Sequence, residues 1–222
     1  MEKKIAFISC VNNEQLYNEC VKYIENLIIP VGITIELIPI RGARSIMQGY
    51  NNGMKKTDAK YKVYLHQDTF IINKNFIHNT LEIFEIDNNI GMLGVIGSKA
   101  IPTNAIWWEA KKKYGKVYNN PHGHMTLLEF DEIENKYEKV QAIDGLIMIT
   151  QHDIKWREDI FNGWDFYDLS HCAEFIKEGY DVVIPKQYEP WCLHDCGIIS
   201  IGENYEKLRR IFLDEYYNGT LG

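Results

Sequence analysis

No apolar run in this sequence approaches the length needed to cross a bilayer. The opening MEKKIAFISCVNNEQ holds only five or six apolar residues in a row, too few for the apolar region of a signal peptide. Basic residues are in the minority, 24 against 31 acidic for a formal net charge of -7, and they form no long run. Nucleic-acid binding through phosphate neutralisation is therefore not expected. A phosphorylated small molecule is still compatible with the acidic balance, because a metal and backbone dipoles act locally. Cysteines number five, which gives no even disulfide framework and points to a reducing, cytoplasmic setting. Asn218-Gly219-Thr220 fits the glycosylation sequon but, with no secretory signal, reads as coincidence.

Several chemical signatures are missing as well. There is no GxxxxGKS/T loop and no GxGxxG after the first apolar run, so ATPase and dinucleotide readings lose their best support. The absence of GxSxG weakens a serine-hydrolase reading. Neither an internal repeat nor a low-complexity linker divides the 222 residues, and one continuous α/β domain is the economical expectation.

What is present begins with alternation of strand and helix patterns. Residues 4–8 (KIAFI) predict a buried strand. Asn12 or Asn13 can cap a helix to about Asn26, with Leu16, Cys20, Tyr23, Ile24 and Leu27 on one face. Residues 33–38 (ITIELI) predict a second strand, punctuated by Pro39 and Gly42. Ser45 can cap a short helix through Lys55, and 61–65 (YKVYL) predict a third strand. This β-α-β-α-β order is the pattern of a parallel sheet with crossover helices. Further on, the pattern predicts a helix from Asn75 to about Phe84 and a strand at 91–96. Residues 100–120 should be loops and short strands, and 131–139 a charged, solvated stretch. A strand is expected at 146–149, a helix at 169–178 closed by Gly179, a core strand at 182–184 and a last helix at about 203–217.

The third strand stops abruptly at His66-Gln67-Asp68. In open α/β sheets ligands bind at the carboxyl edge, so this tripeptide is expected in a binding cleft. Asp68 could hold a hard divalent cation, Mn2+ or Mg2+, with diphosphate oxygens and water completing the shell; it could equally cap the following turn. Asp165 and Asp168 lie three apart just before the 169–178 helix, whose N-terminus favours charged carboxylates. One of them could act as a general base, and Asp168 could also be only an N-cap. Cys192, His194 and Cys196 would share a face if extended, but structural zinc needs a fourth ligand, and His122-Gly123-His124 is the only second pair in view. A single-ligand or phosphate-contact role for His194 is preferred, beside that of a structural loop histidine. Trp107, Trp108 and Tyr114 suit either a sugar face or a core, and Trp164 with Phe166 would be core if Asp168 is only a cap. Asp144, before Gly145, faces the cleft or closes a turn.

In their order and spacing the segments KIAFISCVNN, QGYNNGMKK, YLHQD, IDGLIMIT, GWDFYD and the His194 region resemble family 2 glycosyltransferases. Within that family the likeness is to the subgroup named after a streptomycin-biosynthesis protein. It runs across nearly the whole chain. The resemblance implies a GT-A fold, a Rossmann-like and mostly parallel sheet flanked by helices, spanning residues 1–222. Residues 1–98 would be the nucleotide-binding half and 99–222 the acceptor and catalytic half. It implies a nucleotide-diphospho-sugar donor, with Ser9, Cys10, Val11 and Asn12 at the base and Asn51 or Asn52 at the diphosphate. His66 and Gln67 would shape the donor pocket with Asp144. Asp68 matches the last carboxylate of the family's Asp-x-Asp metal motif, His66 stands where the first would be, and His194 matches a frequent further metal contact. Asp168 would be the catalytic base, with Asp165 as the lesser candidate, and Trp107, Trp108 and Trp164 would meet the acceptor, a saccharide or other hydroxyl compound. A non-catalytic nucleotide-sugar or partner-binding protein on the same fold is the alternative. A nucleotidyltransferase is a third, weakened by the lack of a Gly-rich basic loop in SCVNNEQ. Homo-oligomerisation is left open.

Overall fold

A computed structural model describes residues 3–120, 123–197 and 202–218. The chain opens with β1 (Lys3–Val11), α1 (Glu14–Glu25), β2 (Ile33–Arg41), α2 (Ile46–Met54) and β3 (Tyr61–Leu65). Both helix starts follow from capping chemistry. Asn13 accepts from the backbone N–H groups of Gln15 and Leu16, and the Ser45 hydroxyl accepts from that of Gln48. Then follow β4 (Thr69–Ile71), α3 (Phe76–Ile86), β5 (Ile90–Gly94), β6 (Ile96–Ser98) and β7 (Lys113–Asn119). The remainder is β8 (Thr126–Glu129), β9 (Tyr137–Val140), β10 (Ala142–Ile143), β11 (Ile147–Thr150), α4 (Tyr167–Lys177), β12 (Asp181–Pro185), β13 (Cys192–His194) and α5 (Glu203–Leu213), which runs on into a π-helical turn.

Seven strands form the main sheet in the order β2-β1-β3-β11-β5-β12-β9. The pairs β1–β2, β1–β3 and β5–β12 are parallel, while β11 runs antiparallel between β3 and β5. The carboxyl ends of β1 and β3 therefore lie side by side, and the loop entering β11 arrives at that same edge. A smaller sheet, β10-β6-β7-β13-β4 with β8 on β7, is assembled from segments far apart in sequence. One cluster of buried apolar side chains runs from Ile5 to Phe212 through both sheets. Among the described residues, no helix is long and apolar enough to cross a membrane.

Two local expectations need correction. Pro39 lies inside β2 instead of ending it, which is tolerated because β2 is an edge strand, with β1 as its only sheet neighbour among the described residues. The charged stretch 131–139 is not all loop: Tyr137–Val140 forms β9 at the opposite edge, pairing with β12 and burying Val140.

In the small sheet Gly115 has φ +91°, and a Cβ built there would stand 1.9 Å from the Val95 carbonyl oxygen. Both the backbone conformation and the contact exclude a side chain. Gly115→Ala is expected to cost about 2–4 kcal/mol, read as a lower urea midpoint.

Candidate active site

The end of β3 turns sharply, with the Thr69 N–H donating to the His66 carbonyl at 3.2 Å, and the chain re-enters as β4. Strand β13 lies antiparallel to β4 with His194 opposite Thr69, and the Asp195 N–H donates to the Asp68 carbonyl at 2.9 Å. This register carries His194, from near the far end of the chain, to the tripeptide. His66 Nδ1 lies 3.4 Å from His194 Nε2, and Asp68 Oδ1 lies 3.5 Å from His194 Nε2 and 3.9 Å from His66 Nδ1.

The chemistry of these three atoms suits a cation. Asp68 Oδ1 is buried, and no hydrogen bond of good geometry reaches it among the described residues, His194 Nε2 standing at the limit of that distance, 3.5 Å. Burial pushes the Asp68 carboxyl up, but the two imidazoles outweigh it and hold the group below its ordinary value. Burial and the neighbouring His194 push His66 down, against Asp68 and Asp144. Ligand atoms that share one ion at about 2.0–2.2 Å stand no more than about 4.4 Å apart, and all three separations satisfy that.

On the other side of His66, Nε2 meets the Tyr167 hydroxyl at 2.5 Å. Tyr167 opens α4, after Phe166 takes a left-handed conformation (φ 59°) that turns the helix start inward. The ring lies flat against Gly145: a Cβ there would stand 2.0 Å from Tyr167 Oη, so only glycine fits. The N-cap is thus Phe166, with no side-chain cap, and Asp168 sits within the first turn. Its carboxylate accepts from the backbone N–H groups of Leu169 at 2.8 Å and Gly145 at 3.3 Å. Burial, and then the nearby charge of Asp144, push its pKa up to about 7 despite those two donors. Asp144 is half-buried and accepts from the Leu146 N–H at 2.9 Å, which closes its own turn. Asp165 is half-buried and also raised by burial, against a hydrogen bond from Asn204.

A cleft of about 280 Å³, just below the usual ligand-site range, opens beside His66 and Asp68; Asp144, Asp165, Tyr167, Asp168 and His194 do not line it. Cys10, Val11 and Asn12 line it from the end of β1, Gly42 and Ala43 from the loop after β2, and His66, Gln67 and Asp68 from the end of β3. Gln67 ties two walls together: its Oε1 accepts from the N–H groups of Asn12 and Asn13 at 3.0 and 2.9 Å, and its Nε2 donates to Asn12 Oδ1. Tyr50 lies in the floor with its hydroxyl buried and unpartnered among the described residues. Trp164 is 48% exposed and forms part of the rim.

The other expected residues lie elsewhere. Ser9 is buried within β1 and does not line the cleft. Asn51 is fully buried and its amide is spent on the Trp156 backbone, donating to the carbonyl and accepting from the N–H at 3.0 Å each, so it cannot reach a diphosphate. Asn52 is exposed on α2 but does not line the cleft. Trp107 is core, and Trp108 is partly exposed, packed against Trp107 and Tyr205. The cysteines next to His194 do not join it: Cys192 is fully buried, and Cys196 donates to Asn119 Oδ1. His122 lies outside the described residues.

Tyr50, Tyr167 and the ligand geometry of His66 were not singled out from sequence. His66 stands two residues before Asp68, and that spacing was the available signal. Tyr167 had only its place beside Asp168.

Comparison with known proteins gives a consistent picture. The model of a family described as "Glycosyltransferase like family" matches residues 6–216. The streptomycin biosynthesis protein StrF of Streptomyces griseus is 26% identical over 170 residues, covering 72% of this chain and 56% of its own length. The chain thus spans little more than half of that relative. Among solved structures, a mannosyltransferase from Pyrobaculum calidifontis in complex with GDP-Man and Mn2+ superposes with a TM-score of 0.58 at 10% identity, over 99% of this chain and 64% of that one. Residues 1–349 of S. aureus TarS with UDP give 0.59 at 10% identity, over 96% and 65% of the two chains. GalNAc-T7 with UDP, GalNAc and Mn2+ gives 0.60 at 9% identity, over 96% and 48%. At such identities the likeness establishes the fold, which is GT-A.

Proposed function

This chain belongs to the glycosyltransferase-like family, and from that premise we propose that it transfers a sugar from a nucleotide-diphospho-sugar to an acceptor hydroxyl. The observation that carries the reading is the convergence of His66, Asp68 and His194 at the carboxyl edge of the sheet, beside the cleft formed by the loop after β1. The base and ribose of the donor fit against Cys10, Val11 and Asn12, whose loop Gln67 holds in place. The diphosphate then lies towards Asp68, His66 and His194, the residues that would hold a divalent cation. When bound, that cation neutralises charge on the departing nucleoside diphosphate.

Asp168 serves as the general base. Its raised carboxyl, close to neutrality, suits a group that must take a proton from a hydroxyl and release it again. The acceptor oxygen attacks the anomeric carbon in line as its proton passes to Asp168. The bond from carbon to the diphosphate oxygen breaks, and the configuration inverts. Trp164 on the rim offers an apolar ring to the acceptor. In this reading residues 1–98 handle the nucleotide and 99–222 the acceptor and the chemistry, within one GT-A unit.

The replacement of the family's first metal carboxylate by His66, and the commitment of the Asn51 amide to Trp156, favour a second reading, a nucleotide-sugar-binding protein without turnover. Calorimetry with uridine, guanosine and thymidine diphospho-sugars, with and without Mn2+, tests both. Mn2+-dependent binding of one donor, followed by its hydrolysis or transfer, is the expected result. Binding with neither reaction selects the passive reading, and no binding across the panel overturns both.

A further inference from the structure

We infer that the groove between α3, the chain entering β9 and the segment joining β12 to β13 binds a chain of uncharged sugars, with Tyr188 as the platform for one ring. This groove shares no lining residue with the cleft at His66 and Asp68, so sugar binding there is additional to the proposed transfer. Only the identification of that chain as the acceptor rests on the proposed function.

The groove has a volume of about 730 Å³, inside the usual ligand-site range and more than twice that of the cleft. Its walls favour a polar occupant without charge. Lys74, Lys136 and Lys186 are matched by Glu82, Glu134 and Glu189, three of each sign, and Lys136 is already paired with Glu82 at 2.9 Å. A strongly anionic or cationic ligand meets as much repulsion as attraction in such a setting. Asn79 and Asn135 add side-chain amides, which both donate and accept and so suit a row of hydroxyls.

The apolar part of the groove is aromatic. Tyr188 is 83% exposed at its lip. A tyrosine ring is a broad amphipathic surface with few rotatable bonds, and the C–H face of a sugar packs on it while the hydroxyls stay at the polar margin. The mounting of this ring is firm on both sides. Before it, the Lys186 N–H donates to the Lys136 carbonyl at 2.8 Å, and the buried Gln187 amide donates to the Val95 carbonyl at 2.6 Å. After it, the Trp191 carbonyl accepts from the N–H groups of Ile72 and Asn73 at 2.9 and 3.1 Å, and the Trp191 ring is buried edge-on against Phe76. The Lys186 ammonium lies 5.7 Å from the Tyr188 ring centroid and restrains the ring while leaving most of it in solvent. An exposed aromatic held in this way binds with little ordering cost. Trp191 directly precedes β13 and His194 ends it, so the groove and the cleft residues stand about 10 Å of strand apart.

The test is calorimetry, without nucleotide or cation, on uncharged hexasaccharides of glucose, mannose, galactose and N-acetylglucosamine. An oligogalacturonate, an oligoglucosamine and a proline-rich peptide serve as charged and peptide competitors. At least one uncharged hexasaccharide is expected to bind with a Kd of about 1 mM or tighter. Tyr188→Ala should weaken that binding by about tenfold or more with an unchanged melting temperature, and Tyr188→Trp should retain it. Asn79→Ala should weaken it by about threefold or more. No binding by any of the four, tighter binding of a charged oligomer or of the peptide, or a Tyr188→Ala protein that binds as wild type would each overturn the inference. Binding lost in Trp164→Ala but kept in Tyr188→Ala would place the sugar in the cleft and overturn it equally. Tyr188-dependent saccharide binding by a protein that takes up no nucleotide-sugar would overturn the proposed function and leave the groove standing. Sugar transfer by a protein whose groove binds no saccharide would do the reverse.

Discussion

Asp168→Asn is expected to slow sugar transfer by about 10²–10⁴-fold while leaving donor affinity within about twofold, because the asparagine keeps the shape and cannot take the acceptor proton. Leu169 N–H donates to Oδ1 and Gly145 N–H to Oδ2, so the amide oxygen keeps the shorter Leu169 bond at the start of α4 while the longer Gly145 contact is lost. The pH profiles add a second test. A base whose pKa lies at about 7 gives wild-type transfer that rises through neutrality as Asp168 ionises, and the asparagine protein should lose that rise. Stability moves the opposite way. With the folded-state pKa raised above that of the unfolded chain, the native protein binds the proton more tightly, and its stability falls as pH climbs from about 4 to 7, then levels. Asp168→Asn should therefore melt higher than wild type at pH 8 and at nearly the same temperature at pH 4. A variant that transferred sugar at the wild-type rate would remove Asp168 from the chemistry.

Asp68→Ala should be at least as damaging, and by a different route. It removes the only carboxylate among the three convergent groups and leaves two imidazoles facing each other. Cation binding should fall by more than about 100-fold, and transfer by about 10³-fold or more. The expected signature in calorimetry is that Mn2+ no longer strengthens nucleoside diphosphate binding, whereas the metal-free affinity hardly changes. In the proposed function the nucleoside meets a different wall, the Cys10–Asn12 segment braced by Gln67. If Mn2+ continued to strengthen binding to the Asp68→Ala protein, the cation would have to be assigned to other residues.

How much of this was legible before folding depends on the length scale of the signal. The first sheet strands and helices announce themselves through apolar runs closed by caps, and Asn13 and Ser45 do cap α1 and α2. The smaller sheet does not, because β4 and β6 have three residues each and β10 has two, too few to show a period. Its pairings are long-range and depend on what else arrives at the edge. The approach of His194 to Asp68 came from the resemblance, and the part of His66 in that trio came only with the turn at Thr69. Polar residues inside helices were hardest to read. Asn51 looks like a ligand-facing amide, yet its partner is the backbone of Trp156, 105 positions away. Trp107 and Trp108 are adjacent in sequence, but one is core and the other surface.

The pairing of β4 with β13 also has a consequence for the order of events at the ribosome. His66 and His194 are separated by 128 positions, so a nascent chain that has emerged only to β12 holds His66 and Asp68 without their third partner. Closing so long a loop is slow to be rewarded by local contacts, which places completion of this site late in folding. A cation held by this trio, as proposed above, could not be bound by all three groups until β13 had docked, and would then fasten that late strand to the early sheet. Metal occupancy would then report that the chain has finished folding, and metal removal should first release the most recently docked segment.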